Sequence, residues 1–407
     1  MPNISGLLCG NAHMDERSSE LAFDGAIVSE VRDAYPMFAA MRRATPVAKV
    51  ELPVRTIYIV LCYDDVAGVL RDPDTYSSRV MRQVMGPVMG RTILEMDDAD
   101  HTTYRGLVSH AFRPKAIERY ARQLVEPVVN DLVADIARGG GRAELVSQLT
   151  TNYPLIIISR MLGVPIRDYA QFQKWSLDLI GYKPTAPESG LAASRALKAY
   201  LGPILAQRKA EPQEDLISEL LAARVDGRGL SDDDIFGFLL LLLPAGAETT
   251  FRLLGNMLFA LLTHPDQLDE VRADPTQLNW ALEETLRWEP PLLGTARETT
   301  RAATLRGVEI PEGSMVSAMI GPANHDEAHY VDPDRYDMHR HADDHLSFGL
   351  GRHFCLGYHL ARLEVLTAVR AVLDHLPNVR LDSAQESYIQ GVSFRSPNRL
   401  PVVFDPR

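Results

Sequence analysis

The pattern of apolar and polar positions along the chain is mostly helical. Apolar residues recur at three- and four-residue intervals through long stretches, a spacing that predicts helices: residues 115–137, 191–209, 232–263, 275–288 and 358–375. Segments typical of strands are few: Val47–Glu51, Thr56–Cys62, Met315–Ile320 and the tail around Pro401–Phe404. We therefore predict a mainly α fold with a small β-rich side. No linker divides the chain, so we expect a single domain over residues 1–407.

One predicted helix, residues 232–263, is long enough to cross the whole domain. Ser231 is a good N-cap, acidic residues follow it as suits the positive end of a helix, and His264-Pro265 ends the pattern. At about 1.5 Å per residue the helix would be roughly 48 Å long, and its apolar sides predict burial. Pro244 and the small and polar residues of Ala245–Thr250 break its centre, at a cost in helix stability. We expect something to pack against this break.

The overall charge and the cysteines narrow the class of protein. The 407 residues carry a formal net charge of -12 and no dense basic run, which argues against a nucleic-acid partner. The three cysteines, Cys9, Cys62 and Cys355, form no Cys-x-x-Cys pair, so we expect neither a disulfide framework nor a zinc site. The longest apolar run, Ile235–Ala247, is shorter than the roughly 20 residues that span a bilayer, and no signal-peptide pattern is present. These features predict a soluble, cytoplasmic protein that does not enter a membrane.

The candidate chemistry lies in the glycine-rich segment Phe348–Gly357, which contains Cys355. A lone cysteine is most often a small buried apolar residue. Here glycines surround the cysteine, which lets the backbone fold tightly against a flat cofactor, and a helical pattern resumes at Tyr358. Cys355 would then precede a helix N-terminus, where free amide hydrogens and the helix dipole favour a thiolate.

The same segment, Phe348-Gly349-Leu350-Gly351-Arg352-His353-Phe354-Cys355-Leu356-Gly357, resembles the haem-binding loop of the cytochrome P-450 family, Phe-Gly-x-Gly-x-His-x-Cys-x-Gly, at every defined position. The resemblance implies the cytochrome P-450 fold, with the long central helix crossing the haem, and a haem b cofactor whose iron is bound by Cys355. It also implies that Phe348, Gly349, His353 and Gly357 contact the cofactor, with Phe348 shielding the sulfur from water. A thiolate on haem iron favours cleavage of the O–O bond, so the implied activity is that of a monooxygenase.

The centre of the long helix, Ala245–Thr250, resembles the family's Ala-Gly-x-Glu-Thr-Thr motif. By this resemblance Ala245 and Gly246 contact the cofactor, and Gly246 leaves room for oxygen against the helix. Thr249 would hydrogen-bond the oxygen and Glu248 would relay protons from water, which are the roles of an alcohol and an acid in proton transfer. The alternative is a polar spot at a contact between helices.

Two further sets of residues match the family by position. Glu284, Arg287 and Arg340 would form a buried structural cluster behind the haem, although Glu298–Arg301 has the same spacing as the first pair. Four residues would bind the haem propionates through charge-assisted pairing: His101, Arg105, Arg297 and His353. Taken without the resemblance, the first two of these four would be a surface pair on one helical face.

The substrate pocket can be placed only by matching segments to the family. The candidate lining residues are Met85, Val88, Met89, Tyr182, Leu242, Ala245, Leu293 and Ile389. This set is apolar and rich in flexible methionine, which suits hydroxylation or epoxidation of a hydrophobic small molecule, such as a terpenoid, steroid, fatty acid or polyketide-like compound. Ordinary core packing explains the methionines equally well.

The electron source follows from the resemblance as well. No flavin or iron–sulfur segment follows the haem loop, so two electrons would come from a separate ferredoxin and its NAD(P)H-dependent reductase. Arg113, Lys115 and Arg352 would form a basic docking face near Cys355, unless they are only solubilising charges. Two other functions stay open. A peroxide-driven haem–thiolate oxygenase would not need the acid–alcohol pair, and a haem-based sensor would normally be joined to an output domain.

Overall fold

Helices dominate the computed structural model, which describes residues 31–52, 55–165, 167, 169–225 and 227–406. The α-helices are α1 Tyr35–Ala44, α2 Tyr63–Arg71, α3 Met81–Val84, α4 Gly86–Met89, α5 Asp98–Ser109, α6 Pro114–Tyr120, α7 Glu126–Ala137, α8 Asn152–Leu162, α9 Tyr169–Ile180, α10 Glu188–Ala210, α11 Leu216–Ala222, α12 Asp232–Thr263, α13 Pro265–Ala273, α14 Leu278–Trp288, α15 Ile320–Asn324 and α16 Tyr358–His375. The strands are β1 Val47–Leu52, β2 Arg55–Val60, β3 Tyr76–Ser77, β4 Arg142–Glu144, β5 Arg224–Val225, β6 Arg228–Gly229, β7 Thr295–Thr299, β8 Ala303–Leu305, β9 Val308–Ile310, β10 Met315–Ala318, β11 Arg380–Leu381, β12 Ile389–Gln390, β13 Ser396–Pro397 and β14 Pro401–Val403. The predicted mainly α fold with a small β-rich side is confirmed.

The predicted helices agree with the structure except at 115–137 and at the start of 275–288, where Pro275–Gln277 form a 3-10 turn before α14. The predictions for 232–263 and 358–375 coincide with α12 and α16, and 191–209 lies within α10. The predicted helix 115–137 is instead α6 and α7 joined by a π-helical turn, Ala121–Val125. Pro127 follows this turn at the start of α7. Because proline has no amide hydrogen, it cannot donate to the carbonyl four residues earlier, and the regular α-helix is interrupted there.

The long helix α12 is the centre of the fold. Ser231 accepts a hydrogen bond from the amide of Asp234, and the Asp234 carboxylate accepts one from the Ser231 amide, which is a capping box. Residues 232–263 form one continuous helix, so the predicted break at Pro244 is wrong: the proline only removes the donor for the carbonyl of Leu240. Within the described chain α12 is long and apolar enough to cross a membrane, but 72% of its most apolar window is buried inside the protein. Its apolar character is therefore that of a core helix.

The largest sheet places one of the predicted site residues. Its five strands have the order β1-β2-β10-β7-β3. Strand β10 pairs parallel with β2 and antiparallel with β7, and this register sets Arg297 opposite the buried Val316. The smaller sheets have the orders β11-β14-β4, β12-β13, β5-β6 and β8-β9. Arg297 is itself 6% exposed, so the sheet places a basic side chain in the interior.

A buried ionic cluster fixes the segment that precedes the Cys355 loop. Arg287 Nη2 lies 2.8 Å from Glu284 Oε1 with both side chains fully buried, and Arg340 Nε lies 3.4 Å from the same oxygen. Arg287 also donates to the carbonyl of Pro333 at 2.6 Å. Removing one partner of a buried ion pair costs roughly 3–5 kcal/mol. The three residues predicted to be structural thus meet in one place, between α14 and residues 333–340.

Candidate functional site

A cavity of about 320 Å³ lies between α12 and the loop that carries Cys355. Its walls come from α5, α12, β7, the loop and the start of α16, which are far apart in the sequence. The lining includes every residue predicted to contact the cofactor: His101, Arg105, Ala245, Gly246, Arg297, Phe348, Gly349, His353, Cys355 and Gly357. The fold therefore brings this set together around one space.

The Cys355 loop folds back on itself before α16. The Cys355 amide donates to the carbonyl of Phe348 at 2.8 Å. Gly349 and Gly351 have φ values of 70° and 69°, a region that glycine adopts readily and other residues rarely do. At Gly351 an added Cβ would lie 2.7 Å from the carbonyl oxygen of Leu70. Glycine there allows both the turn and the close contact with α2.

In the protein alone, the surroundings of the Cys355 sulfur favour the neutral thiol. Burial raises the pKa of the Cys355 thiol, and the amide of Gly357 and the guanidinium groups of Arg105 and Arg362 lower it. Burial outweighs these three groups in the protein alone. A metal ion would supply the missing positive charge, since a coordinating thiol is deprotonated outright. Phe348 packs on Arg362, whose guanidinium carbon lies 4.4 Å from the ring centroid.

Four basic side chains line the same cavity as Cys355: His101, Arg105, Arg297 and His353. The rings of His101 and His353 lie 4.5 Å apart, and the Nε2 atom of each is buried without a hydrogen-bond partner among the described residues. Burial lowers the pKa of His101 to about 4 and that of Arg297 to about 10. A buried polar group without a partner costs roughly 1–3 kcal/mol. The cluster therefore fits a ligand with carboxylate oxygens, as haem with its propionates has.

One face of α12 forms the opposite wall of the cavity. Ala245, Gly246 and Thr249 are less buried than their neighbours on this helix because they face the cavity. Thr249 Oγ1 donates to the carbonyl of Ala245 at 2.9 Å, which leaves its lone pairs available as acceptors. At Gly246 an added Cβ would lie 2.9 Å from Cγ1 of Ile158 on α8. The contact that demands glycine here is thus between two helices.

Glu248 lies beside this face and is not part of the cavity lining that the structure describes. The side chain is buried, and its Oε2 atom lies 3.7 Å from Arg252 Nη2. Burial raises the pKa of Glu248 to about 7, although Arg252 acts in the opposite direction. A group with such a pKa can take up and release a proton near neutral pH. Arg252 was not predicted as a site residue, although its i,i+4 spacing from Glu248 on the helix indicates that the two side chains are neighbours.

The structure separates the predicted substrate-pocket residues into two groups. Leu242 and Ala245 line the cavity. The remaining six lie outside the lining described: Met85, Val88, Met89, Tyr182, Leu293 and Ile389. The two methionines and Val88 are buried in the main core, which agrees with the core-packing alternative. Other residues close by in the same segments line the cavity instead: Met81, Ile93, Leu94, Leu241, Leu292 and Thr295. Ile320 lines it as well.

One acidic residue of the cavity lining had no signal in the sequence. Glu364 on α16 lines the cavity and is 2% exposed. Its Oε2 atom has no hydrogen-bond partner within the described chain, and burial raises its pKa well above the ordinary value. We therefore expect a neutral carboxylic acid there at neutral pH. One acidic residue in an amphipathic helix is ordinarily exposed, so only the packing of α16 reveals it.

The fold and the similarities to known proteins together define a haem-binding monooxygenase. A family model described as Cytochrome P450 matches residues 178–387. Cytochrome P450 107B1 of Saccharopolyspora erythraea is 34% identical over 404 residues, covering 94% of this chain and 97% of that protein. Mycinamicin IV hydroxylase/epoxidase of Micromonospora griseorubida is 33% identical over 384 residues, covering 90% and 94%. The solved structure of CYP109E1 from Bacillus megaterium in complex with testosterone has a TM-score of 0.84 and 28% identity, covering 92% of this chain and 98% of that one.

The chain therefore belongs to the cytochrome P450 family. It is a monooxygenase, an oxidoreductase that binds haem and iron. The predictions of family, enzyme class and fold class are confirmed.

Proposed function

We propose that this monooxygenase hydroxylates or epoxidises a hydrophobic small molecule, using O2 and two electrons from a separate ferredoxin and its NAD(P)H-dependent reductase. The observation that carries the proposal is the composition of the cavity lining. The basic lining residues come from α5, β7 and the Cys355 loop, whereas the lining residues from α12, from positions 81–94 and from positions 291–295 are mostly apolar. An apolar substrate gains about 25 cal/mol per Å² of surface that it buries in such a site.

The cofactor proposed is haem b, with Cys355 as the ligand of its iron. The propionates would accept hydrogen bonds from His101, Arg105, Arg297 and His353, although the carboxylate of Asp97 also lies 3.9 Å from His353 Nε2. Five further residues would contact the rest of the cofactor: Ala245, Gly246, Phe348, Gly349 and Gly357. When bound, a thiolate-ligated haem supplies the activation of O2.

The protein's own part in the chemistry is proton delivery. Thr249 would hydrogen-bond the oxygen from the wall of α12, and Glu248 would supply protons to the hydroxyl. Reduction of one oxygen atom of O2 to water consumes two protons, so a carboxyl with a pKa of about 7 next to an alcohol suits the task. This pair also argues against the peroxide-driven alternative, which would not need it.

The substrate class proposed is a terpenoid, steroid, fatty acid or polyketide-like compound. The apolar lining supports an apolar substrate. One relative is named for hydroxylation and epoxidation of mycinamicin IV, and one structural neighbour was solved with testosterone. No charged side chain among the described residues on the α12 side of the lining would select a charged substrate.

The docking face proposed for the ferredoxin consists of Arg113, Lys115 and Arg352. Arg113 and Lys115 are exposed at the start of α6. Arg352 lies three residues before Cys355, and Asp98 partly neutralises it at 2.9 Å. We further propose that residues 1–407 form one domain and act in the cytoplasm, where a soluble reductase pair would reach this face.

One experiment separates this function from its rivals. Compounds that shift the resting haem to high spin are selected from a library, and NADH consumption and product are then measured with a ferredoxin and its reductase. We expect substrate-stimulated NADH use with product formation. Product with hydrogen peroxide but none with NADH would favour the peroxide-driven enzyme, and no turnover with either would favour a haem sensor.

A further inference from the structure

A second cavity borders α12 at Phe251 and Arg252, and we call it the side cavity. Its volume is about 180 Å³, and among the residues described its lining has none in common with that of the cofactor cavity. The lining residues are Val146, Thr151, Gln173, Leu177, Phe251, Arg252, Gln390, Ser396, Pro397 and Asn398. At about 30 Å³ per water molecule, this volume corresponds to roughly six waters. The side cavity is therefore large enough for a small organic molecule.

The side cavity has one charged residue in the lining that the structure describes, Arg252. This side chain is 5% exposed. The carboxylate paired with it, that of Glu248, does not line the side cavity, and its Oε2 atom lies 3.7 Å from Arg252 Nη2, beyond the usual length of a hydrogen bond. Buried charges are ordinarily held by tight pairing. Arg252 is therefore a loosely paired buried cation, and no acidic side chain of this lining would repel an anion bound next to it.

The guanidinium group of Arg252 is held in place without a negative charge. Its central carbon lies 4.6 Å from the ring centroid of Phe251 and 5.4 Å from that of Phe394. Arg252 Nη1 donates to Ser396 Oγ at 3.0 Å, which leaves the hydroxyl hydrogen of Ser396 available to another acceptor. A guanidinium that is already oriented loses little conformational freedom when it binds an anion.

Amide side chains add further hydrogen-bond donors to the lining. Asn398 Oδ1 accepts a hydrogen bond of 3.0 Å from the backbone amide of Tyr388, so the N–H groups of Asn398 are the part of its amide left for a ligand. Gln173 and Gln390 also line the side cavity, and each carries two N–H donors. A lining with one cation, several donors and no acid is suited to a negatively charged ligand.

The remaining walls of the side cavity decide what kind of anion fits. They are apolar and consist of Val146, Leu177, Phe251 and Pro397. A halide ion would fill only a small part of the volume and would leave these side chains in contact with water. A carboxylate with a short hydrocarbon chain would replace about six waters, bury its chain against the apolar walls and match the planar guanidinium with its two oxygens.

We propose that the side cavity is a binding site for a short-chain monocarboxylate, and that Arg252 binds the carboxylate group of this ligand. Glu248 competes for the same guanidinium, so loss of the charge of Glu248 should strengthen binding. Gln173 and Asn398 are part-exposed, so a ligand would enter from solvent without passing through the cofactor cavity. Binding is non-covalent and does not depend on the function proposed above.

The test is a calorimetric titration of the haem-loaded protein with sodium butyrate, with butyramide as the uncharged control of the same size. We expect one butyrate per chain with a dissociation constant in the millimolar range, no binding of butyramide, and an unchanged Soret band because the ligand does not reach the iron. Arg252→Leu should weaken butyrate binding about 10- to 100-fold, since a charge-assisted hydrogen bond is lost. Arg252→Lys should restore part of the affinity, and Glu248→Gln should raise it several-fold.

Two further variants keep the test decisive if Arg252→Leu does not fold. Gln173→Phe should occupy part of the side cavity and abolish butyrate binding while leaving the spectrum of the carbon monoxide complex unchanged. Arg370→Leu removes an exposed i,i+4 pair with Asp374 and should bind butyrate as the wild type does.

Four results would overturn the inference. The wild type could show no saturable butyrate binding, which would leave water as the occupant. Butyramide could bind as tightly as butyrate, or chloride could do so, which would make the site apolar or a halide site. Butyrate binding that survives in both Arg252→Leu and Gln173→Phe would place the ligand elsewhere on the protein.

Discussion

The Gly246→Ala substitution tests whether helix packing or oxygen binding requires glycine at this position. An ideal Cβ there would lie 2.9 Å from Cγ1, 3.1 Å from Cδ1 and 3.3 Å from Cβ of Ile158. Non-bonded carbon atoms prefer separations of about 3.5–4.0 Å. Ile158 is 2% exposed and its β-branched side chain has few alternative rotamers. Alanine therefore forces α12 and α8 apart by several tenths of an ångström.

Two effects of Gly246→Ala oppose each other. Overpacking costs typically 1–3 kcal/mol, while replacing glycine by alanine inside a helix gains about 1 kcal/mol. We expect the free energy of unfolding to fall by about 0–2 kcal/mol. Ile158→Ala alone should cost roughly 2–5 kcal/mol, but it removes the two closest atoms. In the double variant the two costs should therefore not add, with a coupling free energy of about 1–3 kcal/mol.

The assay is equilibrium urea unfolding of the four haem-loaded proteins. Tryptophan fluorescence and the Soret band are followed together, because coincident transitions justify a two-state treatment. Product per NADH is measured on the same proteins. A coupling free energy below about 0.5 kcal/mol would refute the packing argument. A coupling free energy that small together with a loss of product per NADH in Gly246→Ala would assign the glycine to oxygen binding.

Three other predictions address the ligand, the alcohol and the redox partner. Reduced protein with carbon monoxide should show the strongly red-shifted Soret band of thiolate ligation, and Cys355→His should move the band to the imidazole position; a thiolate-type band in Cys355→Ala would contradict the assignment. Thr249→Ala should keep substrate binding and NADH use but release hydrogen peroxide in place of product, since the hydrogen bond to oxygen is lost; unchanged product per NADH would point to another proton donor. Arg113→Glu or Lys115→Glu should raise the ferredoxin concentration for half-maximal turnover several-fold and weaken its salt dependence, because rim charges act on association; identical ferredoxin and salt responses would reject this face.

The sequence by itself determined the family, the fold class and the residues around the cofactor side of the cavity. Phe348–Gly357 and Ala245–Thr250 are contiguous, so the spacing of their side chains follows from local backbone geometry. The bounds of α12 and α16 were also readable, because long apolar periodicity is a local property. Pro127 and Pro244 show what the apolar pattern cannot predict. The regular α-helix is interrupted just before Pro127 but continues through Pro244, although neither proline has a backbone amide hydrogen to donate.

The tertiary structure decided which side chains of each segment reach the cavity. Met81 lines it, whereas Met85 and Met89 from the same segment pack in the core. The orientation of that segment depends on contacts distant in sequence, such as the hydrogen bond of 2.6 Å from Ser194 on α10 to the carbonyl of Val88. The pKa of Glu248 was also decided by the tertiary structure. The i,i+4 spacing of Glu248 from Arg252 can be read from the sequence. Its pKa near 7 cannot, because that value arises from burial by other elements of the assembled fold.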